Sequence, residues 1–158
     1  MGSRVRGTRR WSFEFAAVAG AMYATRMRRR ILVIDDSQVC LDVVKLSLEE
    51  AGYEVITTTD PMQLPELIRD RRLQLALVDV EMPKINGARL VELCRISGLN
   101  QGMVIILHSG RSPEELPDLA FRVMAAHYLH KTDDQAFFVK QVTELFDRYV
   151  GRSVSGEL

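Results

Sequence analysis

The chain reads as an α/β protein, a doubly wound parallel sheet with helices on both faces. Three observations predict this. Short apolar runs bounded by turn residues recur at 31–34, 75–78 and 103–107; such runs read as strands buried on both faces. Amphipathic helical stripes separate them. Strand and helix alternate five times, the pattern of parallel strands joined by right-handed crossovers.

The 158 residues suffice for one domain with a full core, and an apolar fraction of 47% excludes a disordered chain. Net charge is zero but unevenly placed. Residues 1–30 hold eight Arg and one Glu, a balance of +7, so the remainder carries −7. Cys40 and Cys94 lack C-x-x-C spacing and lie in apolar helical patterns, which fits a reducing, cytoplasmic interior. His108, His127 and His130 have no zinc spacing. All three are expected near strand ends, with His108 and His130 on the rim.

The elements follow in order from Arg28. The strand at 31–34 stops on Asp35-Asp36-Ser37, where Ser37 or Asp36 caps a helix to about Ala51, closed by Gly52. A partly alternating strand covers 53–57. Asp60-Pro61 opens the second helix by cap and first-turn proline, and Pro65 delays its regular part. The third strand ends on Asp79. Met82-Pro83 and Asn86-Gly87 are turn chemistry, and a third helix runs from Gly87 to Ile96. The fourth strand, 103–107, leads into His108-Ser109-Gly110. Ser112 to Glu115 resembles a helix start, but Pro117 makes that helix short, late or bent. The fifth strand, 126–129, precedes His130-Lys131-Thr132. Asp133 caps the last helix, with Phe137, Phe138, Phe146 and Tyr149 in its core stripe.

Residues 1–27 form a basic extension with three open readings: a start codon set too far upstream of Met27, a loosely ordered tail or surface helix, or an export signal. The first is favoured, because export would remove the cytosolic chemistry below. Its apolar stretch is too short to span a membrane. Deleting residues 1–26 is expected to leave core activity and melting unchanged. Residues 151–158 are a polar tail, leaving 28–150 as the working domain. No recognition helix accompanies the tail arginines, so no direct nucleic-acid binding is expected.

In a parallel sheet all carboxyl ends share one edge, where open α/β sheets bind ligands. Strand one brings Asp35 and Asp36 there, strand three Asp79, strand four Ser109 and strand five Lys131. Three crowded carboxylates repel and call for a cation. Hard oxygen donors suit Mg²⁺, with Mn²⁺ possible. An Asp in that setting can attack phosphorus and form an aspartyl phosphate, with Lys131 offsetting charge on the phosphoryl oxygens. Singly, Asp79 could cap a turn or pair with Lys131, and Ser109 could be a turn hydroxyl. Their convergence favours chemistry.

The text Ile-Leu-Val-Ile-Asp35-Asp36-Ser, Leu-Val-Asp79-Val-Glu-Met82-Pro83-Lys-Ile-Asn-Gly87, Ile-Ile-Leu-His-Ser109-Gly and Tyr128-Leu-His-Lys131 resembles the receiver domain of two-component response regulators over about 28–150. The resemblance implies a flavodoxin-like five-stranded sheet of order 2-1-3-4-5 with five helices. It implies Asp79 as phosphoacceptor, and Mg²⁺ held by Asp35, Asp36, Asp79 and the backbone carbonyl of Glu81. Ser109 and Lys131 complete the catalytic set, and Ser109 and Tyr128 the switch. A histidine kinase or histidine phosphotransfer protein would donate phosphate, and an unknown downstream protein would read the altered face. The function implied is a stand-alone receiver that phosphorylates and slowly dephosphorylates itself, not an enzyme with turnover. The alternative is a phosphate-independent pseudo-receiver acting as an interaction module. A metal-dependent phosphatase is disfavoured, because Glu81 points away along an extended chain and no lid is present. Two departures stand out: Thr132 where the family has a cis proline, and Met124 where it has glycine before the fifth strand.

Overall fold

The computed structural model describes residues 29–99 and 102–151. The basic extension and residues 152–158 lie outside the described residues. The chain runs β1 (Arg30–Ile34), α1 (Gln38–Glu50), β2 (Glu54–Thr58), a single 3₁₀ turn (Pro61–Gln63), α2 (Leu64–Arg71) and β3 (Leu75–Asp79). It continues through α3 (Gly87–Ile96), β4 (Val104–Ser109), α4 (Leu116–Arg122), β5 (His127–His130) and α5 (Gln135–Tyr149). All pairings are parallel, in the order β2-β1-β3-β4-β5. The fold class expected from the alternation is the one formed.

Period-two side-chain alternation splits the sheet into two cores. Ile31, Val33, Leu75, Leu77 and Ile106 face α1 and α5, packing on Leu41, Phe138 and Val142. Leu32, Ile34, Ala76, Val78 and Leu107 face the other way, onto Leu64, Val91 and Leu119. β3, at the centre, is buried along its whole length, as a strand covered by helices on both faces must be.

Local chemistry sets the helix boundaries. Ser37 Oγ accepts from the Cys40 amide, Asp60 caps the 3₁₀ turn, and Asn86 Oδ1 accepts from the Ala88 amide. α5 departs from the expectation. Asp134, not Asp133, is its cap, accepting from Phe137 N at 2.9 Å. Phe137, expected in the core stripe, faces outward, because a helix turns about 100° per residue and Phe138 takes the core position with Val142, Leu145 and Phe146. Pro117 does shorten and delay α4, which has only seven residues. No described helix is long and apolar enough to cross a membrane.

Three helices end in the same way. After α1, Gly52 N bonds Glu49 O and Tyr53 N bonds Leu48 O; after α3, Gly98 and Leu99 repeat the pair on Arg95 and Cys94. This is the Schellman closure, which needs a left-handed residue. After α4, Met124 N bonds Phe121 O and Ala125 N bonds Ala120 O, with Met124 held at φ +54°. Methionine therefore occupies a glycine position. An L side chain there costs about 1 kcal/mol. Met124→Gly is expected to stabilise the fold by about 0.5–1 kcal/mol, read as a raised urea midpoint with unchanged slope.

Candidate functional site

Each residue of the site is delivered by the carboxyl end of a strand. Asp35 and Asp36 follow β1, Asp79 ends β3, Ser109 ends β4, and Lys131 follows β5. The register places Asp79 beside His108 on β4, and Ser109 beside His130 on β5. Lys131 is tied to the sheet by its own amide, which donates to Ser109 O at 2.8 Å.

The side chains meet as the convergence argument expects. Lys131 Nζ donates to Asp35 Oδ2 at 2.6 Å and lies 3.3 Å from Asp79 Oδ2. Oxygens of Asp35, Asp36 and Asp79 lie within 4.8 Å of one another. Asp35 and Asp79 are almost fully buried, whereas Asp36 is exposed. The Lys131–Thr132 bond is trans, since the described residues contain no cis peptide. The missing proline therefore does not stop Lys131 from reaching both carboxylates.

The two buried acids are driven in opposite directions. Burial, the largest influence on Asp35, pushes its carboxyl up. The Lys131 hydrogen bond, the Ser37 amide and Cys40 outweigh that and hold it below the ordinary carboxylate value. Burial also pushes Asp79 up, and here Lys131 and the Glu81 amide do not fully offset it, so the carboxyl stays raised. The charge of Asp35 adds to the rise. Burial works against the Lys131 charge, but the Asp35 bond and the charges of Asp35 and Asp79 raise its pKa. One ammonium among three carboxylates leaves an excess of negative charge. An all-oxygen donor set open to water on the Asp36 side fits a small hard divalent cation such as Mg²⁺.

The remaining predicted residues are placed as follows. Ser109 is fully buried, and its Oγ accepts from Arg111 N at 3.1 Å. Tyr128 is half-buried, stacks on His127 at 5.0 Å and packs against the core on the α2–α4 side. The chain turns after Asp79, because Glu81 N donates to Asp79 Oδ1 at 3.2 Å. Glu81 therefore does not point away along an extended strand. Its carboxylate pairs with Arg111 Nε at 3.3 Å, a distance reached without hydrogen-bond geometry.

Two residues matter more than the sequence reading allowed. Gly87 N bonds Val80 O at 2.9 Å, and a Cβ on Gly87 would sit 1.8 Å from the carbonyl oxygen of Asp79. Only glycine lets α3 begin against the Asp79 backbone; the Asn86-Gly87 pair was the available signal. His108 is not a rim residue. It is 4% exposed, packs on Phe138 at 5.2 Å, and lines a cavity of about 330 Å³ with Ser37, Cys40 and Lys131. His130, by contrast, is exposed as expected.

Burial, reinforced by the Lys131 charge, pulls the His108 imidazole from 6.5 down to about 4, with Asp35 opposing and His130 adding to the fall. The folded protein thus refuses a proton that the unfolded chain accepts. Stability contributed by neutral His108 is complete above pH 6.5 and falls away toward pH 4. The full loss is on the order of 3 kcal/mol. His108→Leu is expected to flatten the decline in Tm over that window.

Comparison with known proteins agrees with this geometry. The response regulator receiver domain family matches residues 31–143. The two-component response regulator ARR10 of Arabidopsis thaliana is 33% identical over 104 residues, 65% of this chain and 18% of that protein. The CAI-1 autoinducer sensor kinase/phosphatase CqsS of Vibrio cholerae is 36% identical over 73 residues, 46% of this chain and 11% of that protein. The chain thus spans less than a fifth of either relative. A CheY-like receiver domain from Methanospirillum hungatei has the same fold, with a TM-score of 0.68, 27% identity, and coverage of 79% of this chain and 98% of that one. Family match, sheet order and acid pocket coincide on one stretch of chain, which belongs to the receiver-domain family of two-component response regulators.

Proposed function

We propose that the protein is a phosphorylation switch in which Asp79 accepts a phosphoryl group from phosphohistidine of a histidine kinase or histidine phosphotransfer protein. The observation that carries this reading is the Lys131 ammonium set between Asp35 and Asp79 at the sheet edge. An Asp79 oxygen attacks phosphorus, the P–N bond breaks, and the donor imidazole leaves with the electron pair. Burial raises the Asp79 carboxyl above the ordinary value, so its carboxylate is more basic than an ordinary one, which suits a nucleophile. Lys131 offsets charge on the phosphoryl oxygens.

Asp35, Asp36 and Asp79, with the backbone carbonyl of Glu81, would hold Mg²⁺ or Mn²⁺. When bound, the ion supplies charge compensation for the phosphoryl oxygens. Ser109 hydrogen-bonds the new phosphoryl group, and Tyr128 follows it, repacking the surface that a downstream protein reads. Receiver domains are signalling domains rather than classical enzymes. The only chemistry proposed here is self-phosphorylation followed by slow self-dephosphorylation, in a receiver working on its own in the cytoplasm. The free thiols Cys40 and Cys94 fit a reducing compartment.

The test is incubation with Mg²⁺ and acetyl phosphate, followed by intact mass. One phosphoryl adduct is expected, absent without Mg²⁺ and absent in Asp79→Asn. An unmodified wild-type protein would overturn the proposal. If Asp79→Asn kept partner binding and phenotype, a phosphate-independent interaction module would replace it.

A further inference from the structure

The opposite end of the molecule carries a feature that the acid pocket does not use. Where α3 ends beside the α4–β5 turn, a groove of about 310 Å³ is lined by Glu92, Arg95, Ile96, Arg122, Val123 and Met124. Large apolar side chains stand out in its lining, Ile96 at 75% exposed and Met124 at 61%, and Phe121, the residue before Arg122, is 85% exposed. Such a grouping marks an interaction site rather than chance exposure. The groove wall is pinned, because Arg95 Nη1 donates to Met124 O at 2.7 Å and Met124 is locked left-handed by the α4 closure.

Charge decides what fits. Arg122 has no ion-pair partner among the described residues, and Arg95 is bonded to a neutral carbonyl. The one acid in the lining, Glu92, is already paired with Arg89. The groove is therefore cationic on a body that is otherwise acidic. We propose that it docks an acidic amphipathic segment of a partner protein, one that seats a large apolar side chain in the groove and sets carboxylates against Arg95 and Arg122.

The other occupants fit less well. The +7 amino-terminal stretch would be repelled. A second copy meeting the same face would oppose arginine to arginine. A nucleic acid would leave Ile96 without an apolar counterpart, and its phosphates would be repelled by the acidic body. A membrane meets a concave groove poorly, and two basic residues contribute only about 2 kcal/mol toward an anionic surface that repels the acidic body.

The experiment titrates the isotope-labelled full chain with two synthetic peptides. One is an amphipathic helix with a Leu/Phe stripe flanked by Glu; the other is the same peptide with Lys for Glu. Amide shifts are expected at Arg95, Ile96, Arg122 and Met124, with the acidic peptide binding about tenfold tighter or more, roughly 1.4 kcal/mol. Arg122→Glu reverses the preference. Phe121→Ser weakens binding without moving Tm or phosphorylation, since that side chain is exposed. Asp79→Asn binds as wild type does, so this proposal and the phosphorylation proposal fail separately. Equal binding of both peptides, shifts elsewhere, or a preference unmoved by Arg122→Glu would overturn it. So would a dimer lost in Phe121→Ser, or Phe121-dependent binding to phosphatidylglycerol vesicles.

Discussion

Asp79→Asn is expected to abolish the acyl phosphate and, in the same protein without added metal, to raise stability at neutral pH. The two effects share one cause. Asp79 is buried beside Asp35, and its carboxyl is raised, first by burial and further by that neighbouring charge. A carboxyl with a raised folded-state pKa contributes stability that is present below its unfolded value of 3.8 and lost as pH rises through the folded one. Above that folded-state value the ionised group therefore opposes folding. The amide removes the charge and keeps the shape. It gives up the 3.3 Å contact with Lys131, but Lys131 keeps its shorter bond to Asp35. The expected gain is about 1 kcal/mol, or roughly 3–6 °C in Tm. It should fade as pH falls through the raised folded value toward 3.8, because the wild-type carboxyl then takes up a proton. Melting in chelator across pH 4–8 checks this. Magnesium should stabilise the wild type and much less the variant. A variant less stable than wild type at pH 7 would mean that the Lys131 contact outweighs the repulsion.

Gly87→Ala is expected to be the most destabilising single-methyl change in the described fold. The added Cβ would lie 1.8 Å from Asp79 O, 2.7 Å from Asp79 C and 3.1 Å from a Val78 methyl. Two of these atoms are backbone at the end of the central strand, and no rotamer change relieves a backbone clash. Either α3 shifts outward, breaking the 2.9 Å bond from Gly87 N to Val80 O, or the Asp79 peptide moves. The expected loss is about 3–5 kcal/mol, in the range of overpacking combined with a broken buried hydrogen bond. Any protein that still folds should phosphorylate slowly, because the strand end that carries Asp79 is displaced. Urea unfolding and acetyl phosphate kinetics on one sample separate the two effects. Ala at Gly110, where nothing lies within 4 Å of the added carbon, is the control and should cost little by crowding.

The sequence alone determined the alternation of strands and helices, most of the caps and which acids and cation stand at the strand ends. These rest on short-range physics. An apolar run bounded by turns makes a buried strand. A Ser or Asn side chain reaches the amides of the next turn. Parallel winding then puts every strand's carboxyl end on one edge, so Asp35, Asp36, Asp79, Ser109 and Lys131 share that edge. Other properties depended on contacts between residues far apart in the chain, and only the tertiary structure decided them. Lys131 reaches Asp35 across 96 residues, and Asp79 as well, despite Thr132 and a trans bond. Asp35 and Asp79 have the same side chain but are shifted in opposite directions, because one holds the ammonium closely and the other does not. His108 looked like a rim residue because it adjoins Ser109, yet Phe138 and the α1–α5 packing bury it. Gly87 read as a turn residue until its distance to Asp79 O was visible, and Met124 as a mere departure until the α4 closure placed it at positive φ. Local pattern names the residues that meet. Burial, charge and backbone contact are sums over the whole fold, and they set what those residues do once together.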